Sequence, residues 1–301
     1  MDKNGSPYYK RFASIVSGIA RRALSPFSSK FSKKTYTQPQ LAACTCLTRH
    51  ERKPYRDVVD ELEELKGLFD FDNVPHYTTL QRFFERIPLR IWDAMLSFAF
   101  GLFGIRRMDA AIDSTGYEER NASYHYLRRI GEERRRRGFT KHSIVVDPKT
   151  KAIAASSSNR RYESDNKTFI PLMKKAAEMV KIGKILADKG YDPERNHRFA
   201  REGLHAESII PARNEDVPVW KTKGRWRKLM KTDFPSSEYH KRSLVETVDS
   251  VEKRKSGSTL GSRLHLNKLK EVKVIDVVYD VRRCIQLAYI IIIGFLQSPK
   301  R

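Results

Sequence analysis

The chain has 301 residues, and 59 Lys and Arg against 36 Asp and Glu give a formal charge of +23 and a sequence pI near 10.0. A hydrophobic content of 40% with 10% aromatics excludes wholesale disorder, and the length suggests two domains or one large domain with an appendage. The longest apolar run, Ala288 to Leu296, is far short of the roughly 20 residues that cross a bilayer and reads as a buried helix or strand.

Residues 1 to 35 carry Lys, Arg, Ser and Gly without sustained periodicity and read as a basic, loosely ordered arm. Arg21 and Arg22 interrupt its apolar stretch and no cleavage site follows, which argues against a secretory signal. Residues 36 to 105 have helical spacing. Val58, Leu62 and Leu65 share one face, and Leu80, Phe83, Phe84 and Ile87 fall at i, i+3, i+4 and i+7, with Thr78 as a candidate N-cap and Pro88 as a stop. Two short helices joined by a turn are either a helix-turn-helix, exposing Gln81 and Arg82 to DNA, or an ordinary helical hairpin. Cys44, Cys46 and Cys284 form no Cys-x-x-Cys pair and read as reduced thiols.

Beyond residue 105 the pattern turns to short β-type runs: Met108 to Asp113, Ser143 to Asp147 and Ala152 to Ser156. A helix is expected over 165 to 180, a strand over Lys184 to Asp188, a helix from Pro193 and a strand over Ser208 to Pro211. Three strands followed by helix and strand alternation is a mixed-sheet α/β arrangement. Asp113 and Asp188 each end an apolar strand, where α/β sheets bring side chains to a ligand. Asp192, followed by Pro193 and Glu194, reads as a helix N-cap instead.

Basic charge clusters at Arg128 to Lys141, at Val217 to Lys231 and at Lys253 to Lys255. The second cluster holds six basic residues and no acid, interleaved with Trp220 and Trp226. Phosphate contacts make nucleic acid the leading partner, solvated loops and a membrane surface being the alternatives. Over Tyr239 to Lys255 one helix is expected, with Tyr239, Arg242, Glu246 and Lys253 in a narrow row and Leu244, Val245, Val248 and Val251 opposite. Ion pairs at i,i+4 account for Arg242 and Glu246 but not for the whole row. The eight histidines show no zinc-hydrolase spacing, and Ser114 has no Gly-x-Ser-x-Gly context.

The spacing Tyr239-x2-Arg242-x3-Glu246-x6-Lys253, with Asp113 in AIDSTG and Asp188 in ADKGYD, resembles the signature of prokaryotic DDE insertion-sequence transposases over about residues 105 to 290. The resemblance implies an RNase H-like catalytic domain at 106–301, with a short basic insertion at 214–238, behind a helical DNA-binding region at 36–105. It also implies that Asp113, Asp188 and Glu246 are catalytic and bind two Mg2+ ions, with Mn2+ as a substitute, Asp113 bridging the two. Arg242 and Lys253 would hold phosphates of the element end, with Tyr239 beside them. Trp220, Trp226, Arg225 and Arg227 of the insertion are further candidate DNA contacts, although both tryptophans also suit a core. The expected partners are double-stranded DNA at terminal inverted repeats and at a target, bound by a homodimer on paired ends in a nucleoid-associated cytoplasmic setting. A silent DNA-binding protein and a nuclease that only hydrolyses are the competing readings.

Overall fold

The computed structural model describes residues 3–119, 138–160 and 164–297. The chain forms two compact units. One contains the residues up to Phe103, Lys255–Gly257 and the segment from Leu264 onward; the other runs from Gly104 to Arg254 and adds Ser258–Arg263. Residues from Leu264, assigned by sequence to the catalytic domain, therefore group with the N-terminal helices.

In the first unit, α1 (Pro7–Ala23), α2 (Gln38–Glu51), α3 (Tyr55–Leu65), α4 (Tyr77–Arg86) and α5 (Leu89–Gly101) precede the C-terminal helix His265–Gln297. The expected loose arm is corrected by α1, whose Phe12, Val16, Ile19 and Ala20 are buried at helical spacing. Lys3 fastens its start through 2.8 Å ion pairs to Glu51 and Glu61. Thr37 closes a capping box with Gln40 at the head of α2. A 3-10 turn at Lys66–Phe69 and a further stretch to His76 separate α3 from α4, so the link is not the three- or four-residue turn of a helix-turn-helix. His76, rather than Thr78, caps α4. The C-terminal helix carries unusual buried charge, each with a partner: Lys270 reaches the carbonyls of Phe84 and Glu85, Glu271 pairs with Arg49 at 2.8 Å, and Lys273 with Asp93 at 2.7 Å.

The second unit is built on a mixed sheet. Its strands are β1 (Arg107–Glu119), β2 (Phe139–Val146), β3 (Ile153–Arg160), β4 (Lys181–Ala187), β5 (Glu207–Ile209) and β6 (Thr259–Leu260), in the order β3-β2-β1-β4-β5 with β6 beside the end of β1. β1, β2 and β3 are antiparallel neighbours, whereas β4 and β5 run parallel to β1. Helix α6 (Asp165–Ala177) makes the crossover from β3 to β4. This is the RNase H-like arrangement implied by the resemblance. β1 is longer than its apolar run because Ser114 to Glu118 pair with β2 through backbone bonds. A short α7 (Glu194–Arg198) continues into a π turn before β5. The strand count is of the described residues; 120–137 lie outside them, and with them most of the basic stretch Arg128 to Lys141. Lys141 itself pairs with Asp165 at 2.5 Å.

Candidate active site

The register of the parallel pair places the two aspartates. Ile112 lies opposite Ala187, so Asp113 and Asp188 are the next residues on adjacent strands, side by side where the chain leaves the sheet. The Asp113 side chain is 21% exposed. Its Oδ1 accepts the Ser114 N–H at 2.8 Å and its Oδ2 accepts Arg242 Nη1 at 2.9 Å. Burial lifts the Asp113 carboxyl above its ordinary range, and the Ser114 N–H and the Arg242 charge pull against that rise.

The expected single helix over 239 to 255 is three pieces. Tyr239 ends α9 (Ser236–Tyr239), His240–Arg242 form a 3-10 turn, and α10 (Ser243–Ser256) follows. Ser243 Oγ donates to the His240 carbonyl at 2.9 Å, a local bond that competes with the helical ladder at this junction. Across the tighter turn Arg242 and Glu246 stay in contact. Arg242 Nη2 donates to Glu246 Oε1 at 2.7 Å, so one guanidinium joins Asp113 to Glu246. The Tyr239 ring lies 5.9 Å from that guanidinium. Val245 and Val248 are fully buried, whereas Leu244 and Val251 are only partly so.

Alternation along β1 explains the rest of the groove. Asp113, Thr115 and Tyr117 share one face of the strand. They meet Arg242, Lys253 and Glu252 in turn: Lys253 Nζ donates to Thr115 Oγ1, and the Tyr117 hydroxyl donates to Glu252 at 3.1 Å. A groove of about 720 Å³ opens there, lined by Asp113, Thr115, Glu246, Lys253 and Arg254. A second cavity of about 650 Å³ runs from Asp188 and Tyr239 to Val217, Val219 and Phe234 of the insertion. Thr115, Tyr117 and Glu252 were missed in the sequence. The period-two spacing from Asp113 was the signal that could have found the first two.

The insertion behaves differently. It contains a 3-10 turn at Val219–Lys221 and α8 (Arg225–Thr232). Trp220 is 74% exposed, with the Lys221 ammonium 4.8 Å from its ring. Trp226 is half-buried, its indole N–H donating to Glu202 at 3.3 Å, with the guanidinium groups of Arg201 and Arg225 over its ring. Arg227 grips Asp192 Oδ2 through Nε at 2.8 Å and Nη2 at 2.5 Å, so its charge is engaged inside the fold. Asp192 is therefore corrected from a helix cap to an anchor: it also accepts the Arg213 N–H at 3.0 Å, and α7 begins after Pro193. Glu194 caps the head of α8, accepting the Trp226 and Arg227 N–H groups at 3.1 Å each. Gly224 is required at that approach. Its φ is +101°, and a Cβ would lie 2.2 Å from Glu194 Oε2.

Gln81 and Arg82 are exposed on α4 in the other unit, with Gln81 donating to Glu85 at 3.3 Å.

The second unit thus combines a mixed RNase H-like sheet with two aspartates at adjacent strand ends and a glutamate on a following helix. Residues 106–267, more than half of the chain, match the family described as transposase DDE domain, and the chain belongs to that family. DDE transposases cleave and join DNA and use divalent metal ions. A solved structure of a piggyBac transposase synaptic complex with hairpin DNA is similar at 10% identity and a TM-score of 0.45, covering 96% of this chain and 80% of that one. The family assignment rests on the domain match and not on that likeness. No curated protein matches the sequence significantly. Among the described residues no helix is long and apolar enough to cross a membrane.

Asp113, Asp188 and Glu246 offer carboxylate oxygens, the hard donors that a divalent cation takes, although among the described residues the three do not bring their ligand atoms within 4.8 Å of one another.

Proposed function

We propose that this protein cuts and joins DNA strands at the ends of an insertion sequence, with Asp113, Asp188 and Glu246 holding two Mg2+ ions for which Mn2+ can substitute. Such ions, when bound, activate the attacking hydroxyl or water and stabilise the leaving oxygen of an in-line phosphoryl displacement. The observation that carries the reading is the strand register, which sets Asp113 beside Asp188, together with the Arg242 bridge from Asp113 to Glu246. Arg242 orients both carboxylates and, with Lys253, puts positive charge along the groove where phosphates of the element end would lie. Tyr239 flanks that path. Trp220 and Arg225, both exposed on the insertion, are the further DNA contacts, and Gln81 and Arg82 read terminal sequence in the helical region.

The partners in this reading are double-stranded DNA at terminal inverted repeats and a target duplex, bound by two copies of the chain on paired ends in a prokaryotic, nucleoid-associated cytoplasmic setting. The test is a strand-joining reaction with Mg2+, a labelled duplex carrying an inverted repeat from the DNA flanking the gene, and a target plasmid. Joined product supports transposition. Cut ends that never join would make the enzyme a hydrolytic nuclease, and binding without cutting would make it a silent DNA-binding protein.

A further inference from the structure

Tyr191 ends the 3-10 turn that leaves Asp188, and its N–H donates to the Asp188 carbonyl at 2.9 Å. Its ring is 2% exposed and lies beside Phe169 of α6, with ring centroids 5.8 Å apart. The fully buried Asn196 donates to its carbonyl at 3.0 Å, fixing the turn from the other side. A buried ring needs no hydroxyl for packing, and a hydroxyl there costs free energy unless it is bonded. The Tyr191 hydroxyl is bonded to Ser114 Oγ at 2.8 Å, and Ser114 Oγ in turn to Ser143 Oγ on the facing strand at 2.7 Å. The same Ser114 supplies the N–H that holds Asp113 Oδ1. Ser114 directly follows Asp113 on β1 and borders the same groove, so these bonds lie immediately beside the first acid.

One residue thus ties the turn carrying the second acid to the strand carrying the first. We propose that Tyr191 is a positioning residue: through its hydroxyl bond to Ser114 it sets the separation of Asp113 and Asp188, and with it the affinity of that pair for a divalent cation. This rests on the reading of Asp113 and Asp188 as cation ligands. Partners of this kind, one bond behind the ligands, typically govern metal affinity by about ten-fold or more.

The test titrates Mn2+ into the full-length protein without DNA and follows free Mn2+ by electron paramagnetic resonance, beside thermal unfolding of the same samples. Tyr191→Phe is expected to weaken Mn2+ binding about ten-fold, and Ser114→Ala by a similar factor. The double variant should lose no more than either single one, because both cut the same link. Phe169→Leu disturbs the packing of the same ring without touching the hydroxyl, and should lower Tm while leaving Mn2+ affinity within about two-fold of the parent. Wild-type affinity in Tyr191→Phe, or an equal loss in Phe169→Leu, overturns the proposal. If Tyr191→Phe does not fold, Ser114→Ala decides alone, and unchanged affinity there overturns it. Asp113→Asn separates the two levels: if it binds Mn2+ like the parent, the ligand reading fails as well, and if it loses binding while Tyr191→Phe does not, only the role of Tyr191 fails.

Discussion

The row around the acids and the basic insertion were both expected to meet DNA, and they are held in different ways. Arg242 and Lys253 of the row, and Glu252 beside them, are aimed at β1: Arg242 at Asp113, Lys253 at Thr115, Glu252 at Tyr117. The geometry of the row is fixed by a strand with cross-strand bonds on both sides, which suits a site that depends on precise placement of side chains. The insertion is pinned chiefly where Arg227 holds Asp192 and Glu194 caps α8, with further ties from Trp226 to Glu202 and from Glu238 to Lys184 of β4, and it presents Trp220 and Arg225 outward. The lesson is that cationic residues of one basic cluster divide into those that build the fold and those that remain for a ligand.

The largest expected effect lies in the row. Glu246→Gln keeps shape but removes the charge a cation needs, so cleavage should fall about a thousand-fold, equivalent to about 4 kcal/mol of barrier, while DNA binding survives. A gel assay of Mg2+-dependent cutting beside a binding titration reads both quantities. Cutting near the parental rate would reduce Glu246 to an ion-pair partner of Arg242.

The anchor comes next. The Asp192 side chain is 2% exposed, and Arg227→Ala would leave part of its charge unpaired, costing about 2 to 3 kcal/mol after allowing for the 20% exposure of Arg227. Burial works to raise the Asp192 carboxyl, but bonds from His197 and Arg227 and the Arg213 N–H overcome it and hold the carboxyl below its ordinary 3.8. A depressed folded-state value gives stability that is present in full above about 3.8 and is lost as pH falls through the folded-state value. Thermal unfolding of Arg227→Ala should therefore show a lower Tm at neutral pH and a shallower further loss in acid. An unchanged Tm would return Arg227 to the set of free DNA contacts.

Trp220→Ala and Trp226→Ala sharpen the division inside the insertion. Trp220 is 74% exposed, so its loss should leave Tm unchanged and weaken binding to DNA with an unpaired base by about 1 to 3 kcal/mol. Trp226 is bonded to Glu202 and covered by two guanidinium groups, so its loss should register in Tm. The reverse pattern would exchange their roles. The smallest effect belongs to Lys253→Ala, which should lower affinity for all sequences alike and reduce the slope of log K against log salt by about 1. A salt slope equal to the parent's would confine Lys253 to its bond with Thr115.

Much of the site was legible in the sequence where the signal was local. Asp113 and Asp188 follow apolar runs, and a carboxylate that ends such a run marks the edge of a sheet. The row was legible through its spacing, but the arithmetic of an ideal helix could not foresee the 3-10 turn at His240–Arg242, which a serine bond to a backbone carbonyl supports. Ser114, Thr115 and Tyr117 hid because half of β1 carries no apolar run and is held by neighbours distant in sequence. Asp192 was misread for a related reason. Asp-Pro-Glu fits a local cap, yet Arg227, 35 positions away, supplies the stronger bond. In α1 the apolar period was present, obscured by the surrounding positive charge that suggested an arm.

The most direct test of the account is to load the full-length protein with Fe2+ in place of Mg2+, generate hydroxyl radicals at the bound ion, and map the backbone breaks. Cuts clustered near residues 113, 188 and 246, suppressed by excess Mg2+ and absent in Asp113→Asn, are the predicted result. Cuts at other positions, or the same cuts in Asp113→Asn, would contradict the assignment of these three carboxylates.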